Sequence, residues 1–285
     1  MAFQTIAIVG TGLIGGSFGL AMRKAGFTGR ILGVSSERSI AEAFSAGAID
    51  EGVSLQKAVG TADLLYLSQT IGGILETIDR IAEIGRPDVF ITDAGSTKTA
   101  IVERAAARNL GGQFLGGHPM AGKEARGAAA AEAGLFAGKP YVVTPADGAS
   151  VNTPTACAFV SWLERFGARI LPMSPEAHDH AVAFTSHLPQ LLSTALSAVI
   201  AGEFGNTVDT VPFGSGLLDM TRLSQSSYEV WHDILETNSK EVRHAIQVYI
   251  DKLTLFRQNL TTSHVQEHFL CAGEIAAALR DKRSG

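Results

Sequence analysis

Thr5-Ile6-Ala7-Ile8-Val9-Gly10-Thr11-Gly12-Leu13-Ile14-Gly15 is the stretch that decides the fold. The first five residues form a short β-branched run suited to a strand buried on both faces. Gly10, Gly12 and Gly15 follow at once, and Ser17 to Ala25 reads as a helix. Strand, GxGxxG turn and helix are the context in which this motif binds a dinucleotide. Gly12 lets the backbone approach a pyrophosphate, and Gly15 lets helix and strand pack. Gly10, Gly12, Leu13, Ile14 and Gly15 are therefore candidate cofactor residues. The helix N-terminus supplies the phosphates with N–H donors and a positive dipole end.

Arg30 to Val34 reads as the second strand. About 20 residues past the glycines, an Asp or Glu usually binds the ribose 2′-hydroxyl of NAD. Here Ser35, Ser36, Glu37 and Arg38 occupy that place. Hydroxyls from Ser35 and Ser36 with the Arg38 cation suit a 2′-phosphate, which favours NADP over NAD. The alternative is that Glu37 takes the acidic role from a shifted position, with Arg38 merely solvated.

The alternation continues, with strands expected at 62–68, 89–93, 113–116 and 140–144, and helices at Ile71 to Ile84 and Lys98 to Asn109. This pattern predicts an α/β Rossmann-type, doubly wound parallel sheet over residues 1–173. Ligands of such sheets sit at the carboxyl ends of the strands. Ser35, Ser68-Gln69-Thr70, Asp93 to Ser96 and His118 should then surround one crevice, with Ser68, Gln69 and Asp93 on the cofactor side. From Pro175 onward strands vanish. Glu176 to Ala201 reads as a helix with a kink or break at Pro189, and Tyr228 to Leu260 and Val265 to Leu279 as further helices. Residues 174–285 thus form an all-α domain, with Ser174 capping its first helix and Pro175 in the first turn.

Composition narrows the function. The chain has 285 residues, 46% hydrophobic and 18% charged, enough for packed cores and for two domains. A net charge of −5 without a Lys/Arg cluster argues against nucleic acid. Residues 1–22 carry no charged side chain, but five glycines interrupt them and no basic residue precedes them, so neither a signal peptide nor a membrane span is expected. Two cysteines fit a reducing cytoplasm. His264, His268 and Cys271 share a helix face, yet three ligands from one helix rarely converge on one ion, so no metal is expected. His178 and His180, two residues apart, receive no special role. His118 sits in a stiff Gly-His-Pro turn at a strand end, which suits acid–base work. Ser96 is a natural helix N-cap, a role sufficient in itself.

The chain resembles the prephenate/arogenate dehydrogenase family of tyrosine biosynthesis. The resemblance rests on Gly10 to Ser17, Asp93 to Lys98, Gly117-His118-Pro119-Met120-Ala121-Gly122, Ser186-His187-Leu188-Pro189, Asp219-Met220-Thr221-Arg222, and Trp231 with Asp233 and Asn238. It implies a reaction in which a cyclohexadienol loses hydride to a nicotinamide and loses carbon dioxide. It implies that His118 draws off the hydroxyl proton, that Ser96 orients His118 or the substrate, and that Arg222 holds a substrate carboxylate, a task suited to its planar fork. Glu124 is implied near the pocket mouth, pairing with Arg222 when the site is empty, and Lys123 is placed beside it as a substrate-side residue. His187 is either packing or pocket lining. The resemblance also implies a homodimer through the helical domain, with the active site between the domains.

The sequence departs from the family at three points. Gln190 stands where many relatives carry a second histidine against the substrate side chain, Leu218 where an arginine is common, and Thr70 where a proline is common. The Gln190 change leaves the choice between the keto acid of prephenate and the amino acid of arogenate open. Two other readings compete. A β-hydroxyacid dehydrogenase shares the sheet-then-helices plan but typically uses a lysine of its second half. A non-catalytic NADP-binding redox sensor would not need His118, Ser96 and Arg222.

Overall fold

The computed structural model describes residues 3–123, 125, 127–145 and 152–284. Eight strands form one sheet in the order β3-β2-β1-β4-β5-β6-β7-β8. They are β1 (Thr5–Val9), β2 (Arg30–Val34), β3 (Glu51–Gly52), β4 (Leu64–Leu67), β5 (Phe90–Asp93), β6 (Phe114–Pro119), β7 (Pro140–Pro145) and β8 (Arg169–Pro172). Helices α1 (Leu13–Lys24), α2 (Glu37–Ser45), α3 (Leu55–Thr61), α4 (Ile71–Ile84), α5 (Thr99–Ala107) and α6 (Pro154–Arg165) connect them. The strand order doubles back between β1 and β4, as in a doubly wound fold.

Alternation along the strands builds two cores. Ile6 and Ile8 of β1 join Leu64 and Tyr66 of β4 on one face, with Phe18 and Phe159 from the helices above them. Ala7 and Val9 join Leu65 and Leu67 on the other, over Ile74, Ile78 and Ile101. On the first face Phe18 stacks on Tyr66 with ring centroids 3.9 Å apart, and Tyr141 donates a hydrogen bond to the Tyr66 hydroxyl at 3.2 Å.

The short strand β3, the edge strand β8 and the split of the expected 228–260 helix into two pieces were not anticipated, and two further features differ from the sequence expectation. All neighbouring strands are parallel except β6 and β7, which are antiparallel. A parallel return needs a crossover, usually a helix, whereas an antiparallel one can be made by loop alone. The described residues between β6 and β7 hold only one 3-10 turn, Ala128–Ala130. Helix α1 also begins at Leu13, four residues before the expected start. Glycines argue against helix on propensity. Here contact overrides propensity: a Cβ on Gly15 would strike the Gly10 carbonyl, and one on Gly19 the Ala48 carbonyl.

Beyond β8 the chain is helical. Helix α7 (Pro175–Val182) runs into a π turn (Ala183–His187) and then α8 (Leu188–Phe204). Pro189 has no N–H to return to the preceding turn, which accounts for the widening where the sequence predicts a break. Helix α9 (Ser215–Thr221), α10 (Tyr228–Thr237), α11 (Ser239–Gln258) and α12 (Ser263–Ser284) follow. Ser174 caps α7 by accepting from Ala177 N at 3.1 Å. Packing divides the chain into compact units of residues 1–239 and 240–285. Among the described residues, no helix is long and apolar enough to cross a membrane.

Replacing Gly19 by Ala should lower stability by about 1–3 kcal/mol, because the added methyl meets backbone rather than a yielding side chain. Urea unfolding of the variant measures this; an unchanged midpoint would contradict the packing argument.

Candidate functional site

The carboxyl ends of β1, β4, β5 and β6 assemble the site. The glycine turn after β1 passes beside Ser68, whose hydroxyl donates to the Gly10 carbonyl at 2.7 Å and ties two strand ends together. Helices α2, α3, α4, α6 and α7 are capped by the side chains of Ser36, Ser54, Thr70, Thr153 and Ser174. Helix α1 is not: its N-cap is Gly12, without a side-chain cap and without an acidic residue in the first turn. A Cβ on Gly12 would meet nothing within 4 Å. The helix start is therefore uncapped by side chains and open at Gly12, a setting that fits a pyrophosphate.

A cavity of about 710 Å³ lies in front of that helix end, lined by Gly12, Leu13, Ile14, Ser68, Lys123, Arg222 and Trp231 among others. A second cavity of about 200 Å³ shares Ile14, Ser68 and Thr70 and reaches Gln69 and Ser96. Two expected cofactor residues also have partners within the fold. Gln69 accepts from the Thr77 hydroxyl at 2.9 Å. Asp93 is wholly buried: Oδ1 accepts from Gly117 N, and Oδ2 from Gly95 N and the buried Lys98 ammonium. Its carboxylate braces the strand ends and has no face left for a nucleotide, which corrects its assignment. At the tip of β2, Ser35 is exposed, Ser36 caps α2, and the Arg38 side chain, 90% exposed, pairs with Glu42 at 2.9 Å. The Ser39 and Thr11 hydroxyls lie 2.9 Å apart, joining α2 to the glycine turn.

His118 stands half-buried near the end of β6. It is not among the residues lining either cavity. Its Nδ1 lies 2.8 Å from Nε2 of His178, and His178 Nδ1 lies 2.8 Å from Asp179 Oδ1. Asp179 in turn accepts from Lys98 N at 2.7 Å and Thr99 N at 2.9 Å. Burial holds the His118 imidazole well below its usual range, with further depression from His178, Lys98 and His187. The ring is thus neutral near pH 7, able to accept a proton. Burial alone would raise the Asp179 carboxyl, but hydrogen bonds from His178, Thr99 and Lys98 outweigh it and hold it low.

Ser96 does not cap α5. The N-cap is Lys98, without a side-chain cap of its own, and the Asp179 carboxylate supplies the acceptors from 80 residues away. Among the described residues the Ser96 hydroxyl has no hydrogen-bond partner, His118 included. His178 and Asp179 are the residues that sequence reasoning missed. The only signal was their adjacency at the start of a helix, which reveals no partner.

His187, buried in the π turn, is pushed down to about 4 by burial. Asn238 Nδ2 approaches its Nδ1 at 3.3 Å, and the ring meets Trp231 edge-on at 5.8 Å. Gln190 is buried and donates its amide to the Leu223 carbonyl at 2.8 Å, next to Arg222. Its nitrogen is therefore spent on the turn that carries the arginine. Lys123 pairs with Glu132 at 2.5 Å. Glu124 lies outside the described residues. As for metals, among the described residues His232, Asp233 and Glu236 alone cluster closely enough to hold an ion, and they are partly or fully exposed.

Comparison with known proteins bears on this arrangement. The nucleotide-binding domain of prephenate dehydrogenase matches residues 18–171, and the prephenate dehydrogenase dimerization domain matches residues 174–271. Prephenate dehydrogenase of Bacillus subtilis is 30% identical over 295 residues, covering 99% of this chain and 78% of its own. The crystal structure of prephenate dehydrogenase from Aquifex aeolicus with hydroxyphenyl propionate and NAD+ superposes with a TM-score of 0.84 at 31% identity, over 99% of this chain and 98% of that one. Synechocystis arogenate dehydrogenase gives a TM-score of 0.77 at 30% identity, over 98% and 99%. The chain belongs to the prephenate dehydrogenase family.

Proposed function

We propose that the chain is an NAD(P)-dependent dehydrogenase that converts prephenate, or arogenate, to the corresponding 4-hydroxyphenyl product with loss of carbon dioxide. The observation that carries this reading is a neutral, half-buried histidine at the carboxyl edge of the sheet that also holds the uncapped α1 terminus. A bound nicotinamide would supply the hydride acceptor. His118 takes the ring hydroxyl proton as hydride leaves, and returns it to the phenolate oxygen once carbon dioxide departs and the ring is aromatic. General-base assistance of this kind is worth roughly 10²–10⁴ in rate. Arg222 holds a substrate carboxylate at the cavity wall. Ser96, with a hydroxyl uncommitted among the described residues, orients the ring hydroxyl. Lys123, His187 and Glu124 complete the substrate side. Gln190 has only its carbonyl oxygen left to offer, an acceptor.

Gly10, Gly12, Leu13, Ile14, Gly15 and Ser68 hold the dinucleotide. We read its ribose as phosphorylated: no carboxylate occupies position 35, and the Arg38 fork is exposed and needs only to exchange Glu42 for phosphate. Residues 174–285 form the substrate and dimerisation half. Leu260, Phe269, Leu270, Ile275 and Leu279 are exposed on it, apolar surface that a homodimer would cover.

Reduced-nicotinamide absorbance, measured with prephenate or arogenate and with NAD or NADP, tests the reading. His118→Asn should bind nucleotide normally and lose about 10²-fold or more in kcat. Near-normal turnover would remove His118 as the base. Arg222→Ala should act chiefly on the Michaelis constant for substrate, and an unchanged constant would reject its carboxylate role. Arg38→Ala should weaken NADP by about tenfold, the scale of one charge-assisted pair, and spare NAD; equal effects on both would reject a 2′-phosphate contact.

A further inference from the structure

His178 is buried at 1% exposure, and nothing in the reaction proposed above uses it. Its geometry nevertheless constrains the base. The Asp179 carboxylate, kept ionised by its N–H donors, can only accept, so His178 Nδ1 carries the proton of that hydrogen bond. A His178 ring holding that one proton has a bare lone pair on Nε2. His118 Nδ1, 2.8 Å away, must donate to it. That leaves the lone pair of His118 on Nε2, the nitrogen free to accept from a substrate hydroxyl. Asp179 itself cannot drift, because Lys98 N and Thr99 N hold its two oxygens.

We propose that His178 is the positioning residue of this site: anchored by Asp179, it fixes the His118 tautomer and accepts the His118 Nδ1 proton when Nε2 takes one from the substrate. The inference rests on the dehydrogenase reading above. The bookkeeping closes within the site. The substrate O–H bond breaks and a His118 Nε2–H bond forms, while the His118 Nδ1–H bond breaks and a His178 Nε2–H bond forms. The cation then rests on His178 beside Asp179, two residues removed from the departing hydride. When the ring loses carbon dioxide, the phenolate oxygen recovers its proton and both shifts reverse, so no net proton is released.

The other ionisable groups facing this pair do not compete. The Lys98 ammonium is committed to Asp93 and to the Gly117 carbonyl at 2.7 Å. His187 is held neutral at neutral pH, its Nδ1 opposed by the Asn238 amide, which also donates to the Asp179 carbonyl at 2.8 Å.

The test is steady-state kinetics of wild type, His178→Ala, His178→Gln and Asp179→Asn across pH, each with and without added imidazole. His178→Ala should lose about 10²-fold in kcat, the low end of general-base assistance, with KM and nucleotide affinity changed less than about threefold. Imidazole should restore about tenfold of it, and His178→Gln, which keeps an acceptor for Nδ1, should retain more activity than Ala. The acid limb of the pH profile should move in the Gln and Asn variants. His178→Ala within about threefold of wild type and an unmoved profile would overturn the proposal, as would a loss in folded His178→Gln equal to that in Ala and unresponsive to imidazole. If His178→Ala does not fold, the Gln and Asn profiles decide. Absence of wild-type turnover on both substrates would overturn the dehydrogenase reading, and the relay with it.

Discussion

The Asp179 carboxylate is the contact on which the site depends. It lies buried in α7, the first helix after the sheet, and caps α5 through Lys98 N and Thr99 N. A buried carboxylate costs several kcal/mol unless its lone pairs are satisfied. Here two backbone amides and one imidazole satisfy it, at the positive end of a helix dipole. One charged group thereby joins α7 to the end of β5 and sets the imidazole that faces His118. Losing it would leave the α5 terminus uncapped and His178 unanchored together.

Beneath this contact lies a second brace. Asp93 gathers the strand end of β5, the turn through Gly95 and the β6 backbone at Gly117, while Lys98 closes the set from above. The Lys98 ammonium is buried at a position where burial depresses it and Asp93 opposes that depression. The two buried ionic systems meet in one residue, because Lys98 gives its side chain to Asp93 and its backbone N–H to Asp179. His118 follows Gly117 directly, so its Cα is held by the first brace and its ring by the second. That rigidity suits the role proposed for His118, a base that meets a hydroxyl in one orientation.

The sheet was legible in the sequence because its signals are local. A β-branched run and a glycine turn specify β1 and the turn after it, and alternation gives β2, β4, β5, β6 and β7, but not the short β3 or the edge strand β8. What was illegible depends on partners far along the chain. Ser96 looks like a cap, yet the cap of α5 comes from Asp179. Asp93 looks like a cofactor ligand because it ends a strand, but Lys98 and Gly117 consume it. His178 has no periodicity or motif to distinguish it, since only the fold brings it to His118. The glycines of α1 mislead for the opposite reason: local propensity disfavours a helix that close packing requires. The resemblance sets Gln190 at a substrate position, but its amide is turned to the Leu223 carbonyl, an interaction no spacing predicts.

The chemistry turns on the protonation state of His118: neutral, with its proton on Nδ1 and its lone pair on Nε2. Nitrogen-15 NMR of histidine-labelled protein near pH 7, with the His118 signals assigned by a His118→Asn variant, reads both nitrogens directly. A protonated Nδ1 and a bare Nε2 are predicted. A proton on Nε2 alone, or on both nitrogens, would contradict the account.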